Sequence, residues 1–389
     1  MSDFSFQTVP TLLLEYGGCR RLGALLQQHF RLTRVSLVTD AFLHRSGLLE
    51  PALASLRAHG MEVCIIDDVV ADPPEAVVLA ATERSRAFGA ELIVGLGGGS
   101  SMDVAKLIAV LSSGRQALAD MYGVDKVTAE RLPLVQIPTT AGTGSEVTPI
   151  SIVTTGENTK AGVVSARLYA DLTLLDAELT LGLPARITAA TGIDAMVHAI
   201  EAYTSRVRKN PLSDMLAREA LRLLSGNLLV ACRDGANRAA REAMLLGATL
   251  AGQAFANAPV AAVHALAYPI GGIFHVPHGL SNALVLPHVL RFNLPAAANL
   301  YAELADIIVP GAGAASEEAR AERLIAWVDT VSEQTGIERS LRQVGIELDD
   351  LQRLSEGAML QTRLLVNNPR EVGFDDVMNI YSAAWHQPV

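Results

Sequence analysis

Between Glu242 and Arg291 the chain runs for 48 residues without an Asp, Glu, Lys or Arg, yet this stretch holds His264, His275, His278 and His288. A segment so poor in charge belongs in an interior, where imidazoles are costly unless each nitrogen finds a partner. Neutral imidazole is also the commonest metal ligand. A complement lies upstream in Asp194-Ala-Met-Val-His198. On a helix, residues four apart share one face, with Cβ atoms roughly 5–6 Å apart. An Asp/His pair on one helix and a His264-x13-His278 pair on the uncharged segment therefore predict a metal site with four ligands.

A chain of 389 residues is too long for one ordinary core, so two domains are expected. Half the residues are hydrophobic and 19% are charged, as in a well-buried enzyme. A net charge of −10, with no dense Lys/Arg run, argues against a nucleic-acid partner. Cys19, Cys64 and Cys232 form no CxxC pair, so neither a disulfide framework nor a thiolate zinc site is indicated, and a reducing cytoplasm is expected. The N-terminal MSDFSFQTVPTLLLEYGG lacks the basic and apolar regions of a signal peptide. The uncharged stretch is interrupted by Pro259, Pro269, Pro277 and Pro287 and carries Gln253, Asn257 and Asn282. A membrane span needs ~20 mainly apolar residues, so a buried helical core is expected and no membrane partner.

Strand and helix signals alternate through the first half. Val35–Thr39, Glu62–Ile66, Glu91–Leu96 and Leu134–Ile137 read as short buried strands, and Ser151–Thr154 as the start of a hairpin. Helical patterns fall between them, over Leu48–Leu56 and from about Glu75 to Phe88, with a turn at Asp72-Pro73-Pro74. Such spacing implies a parallel sheet covered by helices. Beyond Leu183-Pro184 the strand signal fades and helices take over. The expected architecture is an α/β domain over 1–184 with a Rossmann-like parallel sheet, and an all-α domain over 185–389.

Gly95-Leu-Gly97-Gly98-Gly99-Ser100-Ser101-Met-Asp103 joins the third strand to a helix. Glycines there let backbone amides approach a ligand, and the helix N-terminus behind them favours negative charge. Ser100 and Asp103 have capping-box spacing, which places the helix start at Ser100. The loop is neither a Walker A motif nor a strict GxGxxG. Asp40, directly after the first of these strands, suits either an adenosine ribose or the N-cap of the following helix. Pro138-Thr139-Thr140-Ala-Gly142-Thr143-Gly144-Ser145-Glu146 is a second turn rich in glycine and hydroxyls, able to wrap a nucleotide.

These segments closely resemble the iron-containing (group III) alcohol dehydrogenase family. The resemblance rests on GGGSSMDVAK (Gly97–Lys106), PTTAGTGSEVT (Pro138–Thr148), AATGIDAMVHAIEAY (Ala189–Tyr203) and VHALAYPIGGIFHVPHG (Val263–Gly279), in the family's order. It implies a Rossmann-like domain and a helical domain with cofactor and metal between them, the dehydroquinate synthase-like architecture. Matching the motifs carries the metal ligands to Asp194, His198, His264 and His278, the same four that spacing picked out. It carries pyrophosphate binding to Gly97, Gly98, Gly99 and Ser100, with Asp103 on the same loop. Thr139, Thr140, Thr143 and Lys160 would line the cofactor, and Asp40 would meet the ribose and favour NAD over NADP. Homodimers or larger assemblies are also implied. Three departures stand out. Tyr268 replaces a histidine that many members carry four residues after the third ligand, Asp72-Pro73 replaces Asn-Pro, and Ser101 replaces a proline in the glycine loop.

The resemblance implies an enzyme that moves a hydride between the carbon of a metal-held alcohol and nicotinamide. Three imidazoles and a carboxylate suit Fe2+ or Zn2+ alike. His264 and His278 would act at the reacting centre, with His275 or Tyr268 as candidates for passing on the proton and His288 as a structural residue. The uncharged surroundings, Phe255 among them, point to a small alcohol or aldehyde. Glycerol-dehydrogenase-like polyol or hydroxy-acid oxidoreductases share the fold. A lyase resembling dehydroquinate synthase would need several basic residues where this chain has none. A non-catalytic nucleotide or metal sensor would have lost a ligand or the glycine loop, and both are present.

Overall fold

The computed structural model describes residues 3–387 except 157, 158, 310, 312 and 314. The chain divides into two compact units, Gln7–Gly182 and the described residues of Leu183–Val389 with those of Met1–Phe6. Each unit has its own secondary-structure class.

In the first unit, β1 (Leu12–Leu14), α1 (Leu22–His29), β2 (Arg34–Asp40), α2 (Ala41–Ser46), α3 (Glu50–Ala58), β3 (Glu62–Val69), α4 (Glu75–Phe88), β4 (Leu92–Gly97) and α5 (Gly99–Ser113) follow in order. After them come β5 (Gly123–Val124), β6 (Leu134–Pro138), β7 (Ile150–Thr155), β8 (Thr159–Val164) and β9 (Leu172–Leu175). Six strands form one sheet in the order β1-β9-β6-β4-β2-β3, with every pairing parallel. A central parallel strand is covered on both faces and so reads as a continuous apolar run. In β4, Leu92, Val94 and Leu96 point to a layer shared with α1 and α3, while Ile93 points to the layer of α4 and α5. The hairpin expected from Ser151 forms as β7 and β8, antiparallel, with β5 beside β8. β1 and β9 escape the sequence signal because each has only three or four residues; their place is set by pairing with each other and with β6.

The second unit is helical: α6 (Ala185–Thr204), α7 (Pro211–Arg233), α8 (Arg238–Asn257), α9 (Ala262–Phe274), α10 (His278–Ile308), α11 (Glu317–Thr335), α12 (Leu351–Met359), α13 (Thr362–Leu365) and α14 (Phe374–His386). Pro184 is the N-cap of α6, where its fixed φ suits a helix start. Arg241 of α8, fully buried, binds the Leu183 carbonyl at 3.1 Å and the Thr188 hydroxyl at 2.8 Å and so ties down the start of α6. The uncharged segment supplies much of α8, all of α9 and the first turns of α10. Pro269 and Pro287 lie inside α9 and α10 rather than breaking them, and Pro277 caps α10. Among the described residues, no helix is long and apolar enough to cross a membrane.

Candidate active site

Asp194 and His198 face the same way on α6, His264 stands in the first turn of α9, and His278 opens α10. One ligand atom from each of these residues lies within 4.8 Å of the other three. Asp194 Oδ1 is the hub, 3.9 Å from His198 Nε2, 3.9 Å from His264 Nε2 and 3.7 Å from His278 Nε2. Three of the side chains are buried, while that of His278 is 41% exposed. Two local features bring the last two ligands in. His275, in the left-handed region at φ 56°, ends α9 and turns the chain into Pro277 and α10. Gly279 lets α10 close on α6, since a Cβ there would sit 2.4 Å from the Ala190 carbonyl oxygen.

The donor set, three imidazole nitrogens and one carboxylate oxygen without a thiolate, fits Fe2+ or Zn2+. Burial pushes the Asp194 carboxyl up, but His198, His278, His264 and the Asn282 amide together outweigh it and hold the group below the usual carboxylate range. The His198 ring stacks between Phe255 at 4.3 Å and His264 at 4.8 Å, centroid to centroid.

Two residues the sequence reading passed over complete this centre. Buried Glu201, on the Asp194/His198 face of α6, binds His264 Nδ1 through Oε2 at 2.6 Å and accepts the Val263 N–H at 2.7 Å. A carboxylate on Nδ1 fixes the tautomer that leaves Nε2 unprotonated for a metal. Asn282, one turn after His278 on α10, donates to Asp194 Oδ1 at 2.6 Å. Helical spacing is the signal that finds both: Glu201 follows His198 by three residues, and Asn282 follows His278 by four.

The glycine loop has a different construction. α5 starts at Gly99 with Gly98 as N-cap, not at Ser100, and no side chain caps it. The expected capping box does not form because Asp103 is turned elsewhere. Its Oδ1 accepts from Ser145 Oγ at 2.5 Å and from Lys106 Nζ at 3.2 Å, and its Oδ2 from the Ile152 N–H at 2.9 Å. The Lys106 side chain is 0% exposed and also donates to Ser145 Oγ, Thr148 Oγ1 and the Ile150 carbonyl. Burial lowers its pKa, an effect opposed by the Asp103 charge. The first-turn amides of α5 are thus left without a side-chain cap, the arrangement that favours an anion. Gly99 lets Thr143 approach: a Cβ would lie 2.8 Å from Thr143 Cγ2. A Cβ on Gly98 would lie 3.9 Å from the Thr140 side chain, and the Thr139 N–H binds the Gly97 carbonyl at 2.9 Å, so the two turns form one surface.

Asp40 is the N-cap of α2, its Oδ1 accepting from the Phe42 and Leu43 amides at 2.9 Å. Lys160 on β8 pairs with Asp72 at 2.5 Å, so the Asp72-Pro73 departure places a counter-charge on it. Tyr268 lies tilted beside His278, with ring centroids 6.1 Å apart. His275 is exposed and outside the four-ligand group, and His288 is buried on α10.

The model of the iron-containing alcohol dehydrogenase family matches residues 10–177, and its Fe-containing alcohol dehydrogenase C-terminal counterpart matches 188–385. Long-chain-alcohol dehydrogenase 1 of Geobacillus thermodenitrificans (strain NG80-2) is 39% identical over 369 residues, spanning 94% of this chain and 91% of that protein. The crystal structure of a 1,3-propanediol oxidoreductase superposes with a TM-score of 0.95 at 34% identity, covering 99% of this chain and 100% of the other. Sulfoacetaldehyde reductase from Bifidobacterium kashiwanohense in complex with NAD+ superposes with a TM-score of 0.88 at 28% identity, covering both chains fully.

Proposed function

The chain belongs to the iron-containing alcohol dehydrogenase family, and from that premise we propose a metal-dependent, NAD(H)-linked enzyme that interconverts a small, weakly polar alcohol and its aldehyde. The convergence of Asp194, His198, His264 and His278 carries this reading. When bound, Fe2+ or Zn2+ supplies Lewis acidity toward an alcohol oxygen, and NAD supplies the hydride acceptor.

The protein's part is to hold and orient. Asp194 and the three imidazoles grip the ion, Glu201 fixes the His264 tautomer, and Phe255 shields one face of His198 from water. The α5 amides at Gly99 and Ser100, with Gly97 and Gly98 before them, take the pyrophosphate, and Thr139, Thr140, Thr143 and Lys160 line the nucleotide. Asp40 meets the ribose with the oxygen that does not cap α2. Asp103 serves the nucleotide indirectly, by bracing the loop through Lys106 and Ser145. Tyr268 stands as a wall beside His278, and the proton leaves through water rather than through Tyr268 or His275. A reducing cytoplasm and self-association into homodimers or larger assemblies complete the reading; the free state of Cys19, Cys64 and Cys232 supports the compartment.

The test is metal analysis of protein purified without oxygen, together with NADH formation on a panel of primary alcohols, for wild type and His264→Ala. Wild type is expected to carry stoichiometric metal and to oxidise alcohols, and His264→Ala to lose most of the metal and at least ~100-fold in turnover. Full metal content and full turnover in the variant would remove the ligand assignment.

A further inference from the structure

Asn282 is fully buried, and its amide nitrogen lies among the ligand atoms of the metal centre. Nδ2 is 2.6 Å from Asp194 Oδ1, 3.3 Å from His264 Nε2 and 3.3 Å from His278 Nε2. Its orientation follows from charge: turned over, Oδ1 would oppose the Asp194 carboxylate at the same short distance. The His264 tautomer agrees, because the Nδ1 contact with Glu201 leaves the Nε2 lone pair to accept an Asn282 N–H. The two amide N–H groups thus serve the carboxylate oxygen and the His264 Nε2 lone pair, electron pairs a cation would use, with His278 Nε2 close beside them. Its own Oδ1 is buried with no hydrogen-bond partner, as expected of a group placed for its N–H bonds alone.

Resting on the metal reading above, we propose that Asn282 is a positioning residue that stands in for the cation in the metal-free protein. Its partially positive NH2 holds Asp194 and His264 together, with His278 beside them, when no ion does so, and it gives up these bonds when an ion takes the same lone pairs. Asn282 therefore competes with the metal: it stabilises the apo protein and weakens metal binding by the strength of its own bonds. A residue that ligates the ion or orients ligands in the loaded site would do the reverse, and its removal would loosen the metal.

The experiment titrates Zn2+, against a chromophoric chelator, into full-length protein stripped of metal, and records melting temperatures of the apo and Zn2+-loaded forms. Asn282→Ala is expected to bind Zn2+ about 10- to 100-fold more tightly than wild type, the scale of a lost hydrogen bond to a charged group. Its apo form should melt several degrees lower, while the loaded form melts close to wild type. If the stripped Ala variant does not fold, Asn282→Ser keeps a polar group in place but is too short to reach Asp194, and it is expected to behave in the same direction. Unchanged or weaker Zn2+ binding in the variant, beside one-to-one binding in wild type, overturns the stand-in role and leaves the metal reading intact. Failure of wild type to bind Zn2+ or Fe2+ overturns both.

Discussion

The glycine loop of the α/β unit and the four-ligand group of the helical unit place their chemistry on different parts of the chain. In the helical unit the working atoms are side-chain atoms on three helices, buried except at His278 and held by further side chains, Glu201 and Asn282. In the α/β unit the candidate anion site is backbone, the uncapped first turn of α5, and side chains serve it as a brace through Lys106 and Asp103. Side chains must therefore keep their type to keep a metal, whereas the loop must keep its shape. Substitutions in the first region should act on affinity and chemistry, and those in the second on folding and cofactor choice.

The largest effect expected outside the ligands themselves falls on the brace. Lys106→Met leaves the Asp103 carboxylate beside Ser145 without its cation, and breaking a pair of this kind costs about 3–5 kcal/mol. Urea or thermal unfolding measures it; wild-type stability in the variant would mean that the loop keeps its shape without the ion pair. Next comes Glu201→Gln, which keeps the volume and loses the charge on His264 Nδ1. Metal affinity should fall roughly 10- to 100-fold with little change in fold, read by chelator competition. A loss of stability without a loss of affinity would make Glu201 a packing residue and blur the contrast.

A smaller effect separates the two roles of Asp40. Asn caps helices as well as Asp does, so Asp40→Asn should leave the melting temperature in place while raising the NADP/NAD ratio of kcat/KM, by about tenfold if a like-charge clash with a 2′-phosphate is removed. An unchanged ratio reduces Asp40 to its cap. The smallest effect is a matter of pH. Burial, with Arg291 adding to it and Asp329 opposing, brings His288 from 6.5 down to about 4. Because the unfolded chain takes up this proton first, stability falls as pH drops from 6.5 toward 4, and the effect is complete below that. His288→Gln should flatten the fall in melting temperature across that window; an identical slope would assign the acid sensitivity to other groups.

What could be read from the chain before folding follows the same division. Asp194, His198, His264 and His278 were legible as a candidate group because two histidines in a charge-free stretch, and an Asp/His pair one helical turn apart upstream of it, admit few uses. The α/β pattern was legible from buried strands such as Leu92–Gly97, whose apolar runs need a sheet with both faces covered. β1 and β9 were not, since strands of three or four residues carry no periodicity and exist through their neighbours. The true start of α5 was also hidden: Ser100 and Asp103 have the right spacing for a capping box, but Lys106, Ser145 and Ile152 bid more strongly for the carboxylate. Sequence alone singled out the four side chains that converge as candidate ligands and the two turns proposed for the nucleotide. Only tertiary structure decided that Asp103 braces rather than caps, that Glu201 sets the His264 tautomer and that the Asn282 amide faces Asp194, because each depends on contacts between segments whose distance in space the linear order does not carry.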